Sequence, residues 1–349
     1  MKLGRFIVDT HVHSQRHAAG GKLKGSKEYK DLGKSIMQVD AYDNSARLLY
    51  DMETYGVDMC IIEPAFGMSN ELDVELVNKY PDKFVANCQA GTKKTRDRVA
   101  AGEIKWDINV VLEELEELLK TGNYVGIGEG IPAGKAITMK DGFPVFNDEL
   151  QLIREMMMIT DLARSYKVPV RYHSGMTVGY EGAYHSHPWN YNPLWAHDLA
   201  IQFPDVPIIM EHGGIEAWWG ETLYQGCIHV AASHKNVYLE TGRYWTELYH
   251  KILDDPNIGP EKLIWGTDWG ASLPVQTIRR PSLPDTFTEQ VRTGGIIRHQ
   301  VDIWGWSLKQ LERLDISQDD LNLILGGNAV RIYNLPNPGG LTRMFKFVD

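Results

Sequence analysis

Two histidines one residue apart, His11 and His13, close the apolar run Phe6-Ile-Val-Asp-Thr-His-Val-His13. On an extended strand, residues i and i+2 share a face. Both imidazoles therefore leave the same side at the strand's carboxyl end. Two neutral imidazoles converging on one point suit a divalent cation. A surface His-x-His pair is common, so the pattern gains meaning only if later strands also end in ligands. They do: Glu129, His173, His212 and Asp268 each lie at the end of a further apolar stretch. Any one of these histidines alone reads as a hydrogen-bonded core or loop residue. Together, at matching positions of successive units, imidazoles and carboxylates form the inventory of a metal site.

Such a set meets only if the chain places its strand ends together. Hydrophobic patterning predicts strands over 6–11, 57–62, 83–89, 124–128, 168–173, 206–211, 237–240 and 263–268. Helices are predicted between them, over 43–55, 70–79, 108–120, 147–166, 197–202, 215–232 and 246–253, with a last one opening at the capping sequence Ser317-Gln-Asp-Asp320. The clearest is 108–120, where Val111, Leu112, Leu115, Leu118 and Leu119 keep the 3.6-residue period. Strict alternation of strand and helix predicts α/β architecture, a single (β/α)8 TIM barrel spanning 1–349. An open doubly wound sheet is the alternative, weakened by the lack of a glycine-rich phosphate loop after the first strand. Long loops follow the first and fifth strands, over 14–39 and 174–195, and are expected to wall the carboxyl-terminal face. A late insertion covers about 271–310.

Composition narrows the class. The 349 residues are 43% hydrophobic and 23% charged, as in ordinary globular proteins. A formal charge of −10 argues against a nucleic-acid partner. No apolar run has the length of a membrane span, and no signal peptide is evident after the first residues. Cys60, Cys88 and Cys227 are widely spaced and read as reduced and buried, consistent with a cytoplasmic enzyme. None sits in a catalytic thiol motif.

The segments Asp9-Thr-His-Val-His13, Tyr172-His-Ser-Gly175, Glu211-His-Gly-Gly214 and Gly266-Thr-Asp268 resemble the amidohydrolase superfamily. More narrowly, they resemble the branch that includes aminocarboxymuconate-semialdehyde decarboxylase and the γ-resorcylate and 5-carboxyvanillate decarboxylases. Tyr80-Pro-Asp-Lys-Phe84, Asn236-Val-Tyr-Leu-Glu-Thr241 and Gly326-Gly-Asn-Ala329 support it. The resemblance implies one divalent ion, zinc or manganese, held by His11, His13, His173 and Asp268 with one position open. It implies catalytic roles for His212, as orienting or proton-transferring imidazole, and for Asp268, as ligand and proton acceptor. Glu129 departs from the branch: it would bridge two metals in a binuclear relative, or pair with Arg171 inside the barrel.

For a substrate carboxylate, a guanidinium fork is the natural holder. Arg243 is the first candidate and Arg47 the second, each with the alternative of a surface ion pair. Trp189, in the aromatic and histidine-rich wall after His173, would face a flat organic substrate; a self-packed loop or a subunit interface explains that wall equally. The branch implies a homodimer, for which Trp304 and Trp306 of the late insertion are candidate interface residues. Three functions remain open. A non-oxidative decarboxylase, a carbon–carbon lyase of an aromatic or unsaturated carboxylic acid, is favoured by the branch. A metal-dependent hydrolase of an amide, lactone or ester is the alternative, and a non-catalytic binding barrel ranks last.

Overall fold

The structure, a computed structural model, describes residues 3, 5–14, 45–64, 70–89, 102–105, 107–128, 137–140, 143–146, 149–174, 192–215, 223–269 and 303–336. Strands β1 (Val8–Val12), β2 (Met59–Ile62), β3 (Phe84–Cys88), β4 (Tyr124–Ile127), β7 (Val170–His173), β8 (Ile208–Glu211), β9 (Val237–Glu240) and β10 (Leu263–Ile264) form one parallel sheet in that order. Beyond Ile264 the chain returns to β1. The Trp269 carbonyl accepts from the His13 amide at 2.8 Å, and Val12 bridges Trp269 in parallel. Residues 263–269 thus close the sheet into the (β/α)8 barrel that the alternating pattern predicts.

Between the strands run helices α1 (Ser45–Tyr55), α2 (Asn70–Lys79), α3 (Ile108–Lys120), α4 (Glu149–Tyr166), α5 (Leu194–Gln202), α6 (Tyr224–Ser233), α7 (Thr246–Leu253) and α8 (Ile303–Glu312), then α9 (Gln318–Asn322) and α10 (Asn328–Ile332). The period of α3 puts Val111, Leu115 and Leu119 on the sheet, and its start is capped by Asp107 accepting from the Asn109 amide. Among the described residues no helix is long and apolar enough to cross a membrane.

Two apolar clusters reflect the two faces of the strands. Ile7, Cys60, Ile62, Phe84, Val170, Tyr172 and Met210 face the helices. Val8, Met59, Ile61, Ile209, Tyr238 and Ile264 pack with Ala329, Val330, Ile332 and Tyr333, so α10 stands against the inner, apolar half of the barrel. Two residues further along, the same strand faces carry polar groups, Glu63, Asn87, Glu211 and Glu240, and four residues past Ile264 comes Asp268; all five are buried. The inner face thus runs from apolar at the amino ends of the strands to ionic at their carboxyl ends, where barrel sites form.

Several expectations are corrected. A hairpin, β5 (Ile137–Lys140) with β6 (Phe143–Phe146), interrupts the β4–α4 connection. Its short strands carry no alternation strong enough to predict it. The helix predicted over 215–232 begins at Tyr224, after a 3-10 turn His212–Gly214. The segment 303–310, expected inside an irregular insertion, opens the helix α8. Trp304 is not an interface residue of this subunit's surface: it is 1% exposed, and its indole packs with Trp265 and Trp269. Trp306 packs on the same core, partly buried. Residues 271–302 lie outside the described ones.

Candidate metal centre

The strand ends bring three of the predicted ligands, His11, His13 and Asp268, together. Between Asp9 and Val12 the β1–β2 register shifts, and both His11 and His13 point into the barrel mouth. Their Nε2 atoms stand 3.1 Å apart. Asp268, at the end of the closing strand, places Oδ1 3.1 Å from His13 Nε2 and 3.7 Å from His11 Nε2. His11, His13 and Asp268 thus present three donor atoms to one point, all buried.

The chemistry of the donor set tests whether a cation fits. The Glu240 carboxylate accepts from His11 Nδ1 at 2.9 Å, and the Glu63 carbonyl accepts from His13 Nδ1 at 2.9 Å. With the ring protons on Nδ1, both Nε2 lone pairs face each other and a carboxylate oxygen. Two acceptors at 3.1 Å need a positive charge between them. A divalent cation, held by imidazoles whose outer nitrogens donate to a carboxylate and a carbonyl, meets that need. Without a cation a proton must serve, and the carboxylates act that way: burial opposes charge on His11, but Glu240 and Glu211 outweigh it and hold its pKa well above the ordinary value.

His173 closes β7, turned inward, and joins a second group with Glu211 and His212 rather than the first. Its ring stacks on His212 at 4.9 Å, and the His212 ring lies 5.2 Å from that of His11. His212 is the link between the two groups. Burial, then the neighbouring His173 and His11, push its pKa well below the usual value, so it is a neutral imidazole near pH 7.

Backbone geometry at two site residues is unusual. His212 and Asp268 have φ of 57° and 59°, in the left-handed region that side-chain-bearing residues seldom adopt. After His212, Gly213 and Gly214 continue at φ 52° and 86°. A Cβ on Gly213 would collide with the Tyr244 hydroxyl, which donates to the Gly213 carbonyl at 2.6 Å. The His-Gly-Gly sequence is therefore a turn that only glycine can complete, and it aims the imidazole.

Asp268 is held on both sides. Arg243 Nη2 donates to Oδ2 at 2.6 Å. Burial raises the Asp268 pKa, but Arg243, His13 and His11 outweigh it and keep the carboxyl well below its ordinary range. Beneath it, Asp9 accepts from the His11 amide at 2.9 Å, the Thr267 amide at 3.1 Å and the Trp304 indole. Asp9 so ties the two ligand-bearing turns together.

Arg171 sits inside the barrel. It is 1% exposed and lies one layer below His173, against Glu211, Glu240 and Glu63. Its guanidinium is engaged by these carboxylates. Glu63, Glu211 and Glu240 carry no part in the sequence-based site, although each ends an apolar strand with the inward parity of a ligand. Glu129, Trp189 and the Arg47 side chain lie outside the described residues.

No curated protein matches the chain. The fold is similar to that of 5-carboxyvanillate decarboxylase from Novosphingobium aromaticivorans, solved with manganese and 4-hydroxy-3-methoxy-5-nitrobenzoic acid (TM-score 0.57, 11% identity, 95% of this chain and 97% of that one). It is also similar to a probable 2-pyrone-4,6-dicarboxylic acid hydrolase from Acinetobacter baumannii with citric acid bound (TM-score 0.51, 13% identity, 94% and 99%). Residues 8–335 match the amidohydrolase family model, a span that holds every residue of the centre, and the chain belongs to the amidohydrolase family.

Proposed function

We propose that the protein is a metal-dependent, non-oxidative decarboxylase of a small aromatic or unsaturated carboxylic acid. The observation that carries this is the joining of the His11–His13–Asp268 cluster to a guanidinium, Arg243, at 2.6 Å. In this reading His11, His13, His173 and Asp268 would hold one zinc or manganese ion. When bound, such a dication would supply Lewis acidity toward a substrate oxygen or a water. Arg243, 15% exposed along its side chain, takes the substrate carboxylate in a charge-assisted fork. Arg47, Glu129 and Trp189 are further substrate contacts from the walls. When the bond to the carboxyl carbon breaks, its electron pair stays on the substrate carbon and carbon dioxide leaves. That carbon then takes a proton, relayed in this reading by His212. The Novosphingobium protein of this fold bears the name of such an activity. We place the enzyme in the cytoplasm as a homodimer.

One observation favours a second reading, hydrolysis of an amide, lactone or ester. His212 is held in the neutral form, the form that can accept a proton from an attacking water. A protein of the same fold is named as a hydrolase, and fold does not choose between reactions.

The test is metal analysis of the purified protein, followed by assay of hydroxybenzoates against lactones and amides. Carbon dioxide release that chelation abolishes and zinc or manganese restores supports the decarboxylase. Turnover of a lactone or amide without carbon dioxide moves the assignment to the hydrolase. Full activity after exhaustive chelation sinks both.

A further inference from the structure

We infer that Arg171 is a positioning residue for the ion-binding cluster, clamping Glu240 and Glu211 so that they set the tautomer and orientation of His11 and the placement of His173. The inference rests on the metal-centre reading above and goes beyond it.

Each arm of the clamp can be followed atom by atom. Arg171 Nη2 pairs with Glu240 Oε2, and the other oxygen of that carboxylate, Oε1, accepts from His11 Nδ1 at 2.9 Å and from the His212 amide at 3.2 Å. Arg171 Nε donates to Glu211 Oε1 at 2.7 Å, and Glu211 Oε2 stands 3.9 Å from His173 Nδ1. Nη1 bonds the Thr10 carbonyl, next to His11, and the Tyr333 hydroxyl at 3.3 Å. One guanidinium from β7 thus contacts groups on β1, β8 and β9 that touch three site histidines. A guanidinium's planar fork can hold two carboxylates in fixed directions, where an ammonium would act as a point charge.

The barrel makes room for this clamp. A Cβ on Gly128, past the end of β4, would collide with Arg171 Cγ and Cδ. A Cβ on Gly266 would meet Glu240 Cδ at 2.8 Å and Thr10 Oγ1 at 2.7 Å. Two strand ends therefore lack side chains where the arginine and its main partner pass. Energetics point the same way. Burying ions costs several kcal/mol each before pairing, and apolar replacements often match or exceed a buried pair in stability. The layer just below is apolar, so stability alone does not require charge here.

The experiment reads zinc affinity by chelator competition and thermal unfolding of the metal-free protein, for wild type, R171K, E240Q, the double variant and G128A. R171K and E240Q each weaken zinc by about 10- to 100-fold, the range for outer-shell partners of ligating histidines. The double variant is little worse than the weaker-binding single one, because both act along one path. G128A keeps every charge and still weakens zinc, because Arg171 must shift. Nitrogen NMR of the histidines finds His11 protonated on Nδ1 in wild type and a tautomer mixture in R171K. A lowered thermal midpoint with unchanged zinc affinity in R171K overturns the inference, as does full additivity in the double variant. If R171K does not fold, unchanged affinity in both E240Q and G128A overturns it. Wild-type protein that takes up no zinc or manganese overturns the metal-centre reading as well, whereas intact wild-type binding with unaltered variants sinks only the role of Arg171.

Discussion

Arg243 and Asp268 form an ion pair of 2.6 Å in which the carboxylate is shared: Oδ2 accepts from the guanidinium while Oδ1 faces His13 Nε2 at 3.1 Å. The pair joins the candidate substrate anchor to the ligand cluster. Removing the anchor should damage the reaction more than the fold. R243A is expected to lower kcat/KM roughly 10- to 100-fold, mainly through KM, as loss of charged hydrogen bonds does. Steady-state kinetics on the identified substrate checks this. D268N, by contrast, should lose metal along with activity. An R243A enzyme with unaltered KM would remove Arg243 from substrate binding.

Proton and metal compete for the cluster. The His11 pKa is raised in the fold, so the protonated group stabilises the metal-free protein below the ordinary histidine value, about 6.5. That contribution fades as pH rises through the folded value. Zinc binding releases the proton and follows the opposite trend. The gain in thermal midpoint on adding zinc should therefore grow as pH rises from 6 through 8, past the point where an unperturbed histidine has finished titrating. His212, with its lowered pKa, stays neutral across this range and adds no slope. Melting curves with and without zinc across the series test the trend, and a gain that levels off below pH 7 contradicts it.

Asp9 is a buried acceptor for the His11 amide, Thr267 and the Trp304 indole. Burial raises its pKa to about 6 against those hydrogen bonds. D9A strands several buried donors at about 1–3 kcal/mol each, so unfolding in denaturant should show a loss of roughly 3–5 kcal/mol. D9N keeps one acceptor and should lose less. Equal losses in the two variants would show that the hydrogen bonds are not the cause.

The thiols should be inert in the native state. Cys60, Cys88 and Cys227 are buried, and burial pushes Cys88 and Cys227 to a pKa of about 12 and Cys60 well up. Only the thiolate reacts. A colorimetric disulfide reagent at pH 8 should find almost no thiol in folded protein and 3 after denaturation. Prompt reaction of any one in the native protein would contradict this placement.

Much of the barrel is legible in local pattern. The period of 108–120 yields α3 with the same bounds, and 237–240 and 246–253 are likewise read as β9 and α7. The hairpin β5–β6 is not, because two four-residue strands are too short to print a period. Trp304 is misplaced for a related reason: α8 follows a stretch rich in proline, arginine and glycine, and nothing local marks where order resumes.

By itself the sequence determined the alternation of elements and the residue types at strand ends: His11, His13, His173, His212 and Asp268, with the glycines that let His212 turn. These depend on neighbours a few positions away, where side-chain period and turn chemistry act. Only the tertiary structure decided the partnerships. Asp268 joins His11 and His13 across more than two hundred and fifty positions, His173 groups with Glu211 and His212, and Arg171 belongs to Glu211 and Glu240 below the site. Closure of the barrel sets which strand ends become neighbours, and the need to pair every buried charge then selects its partner.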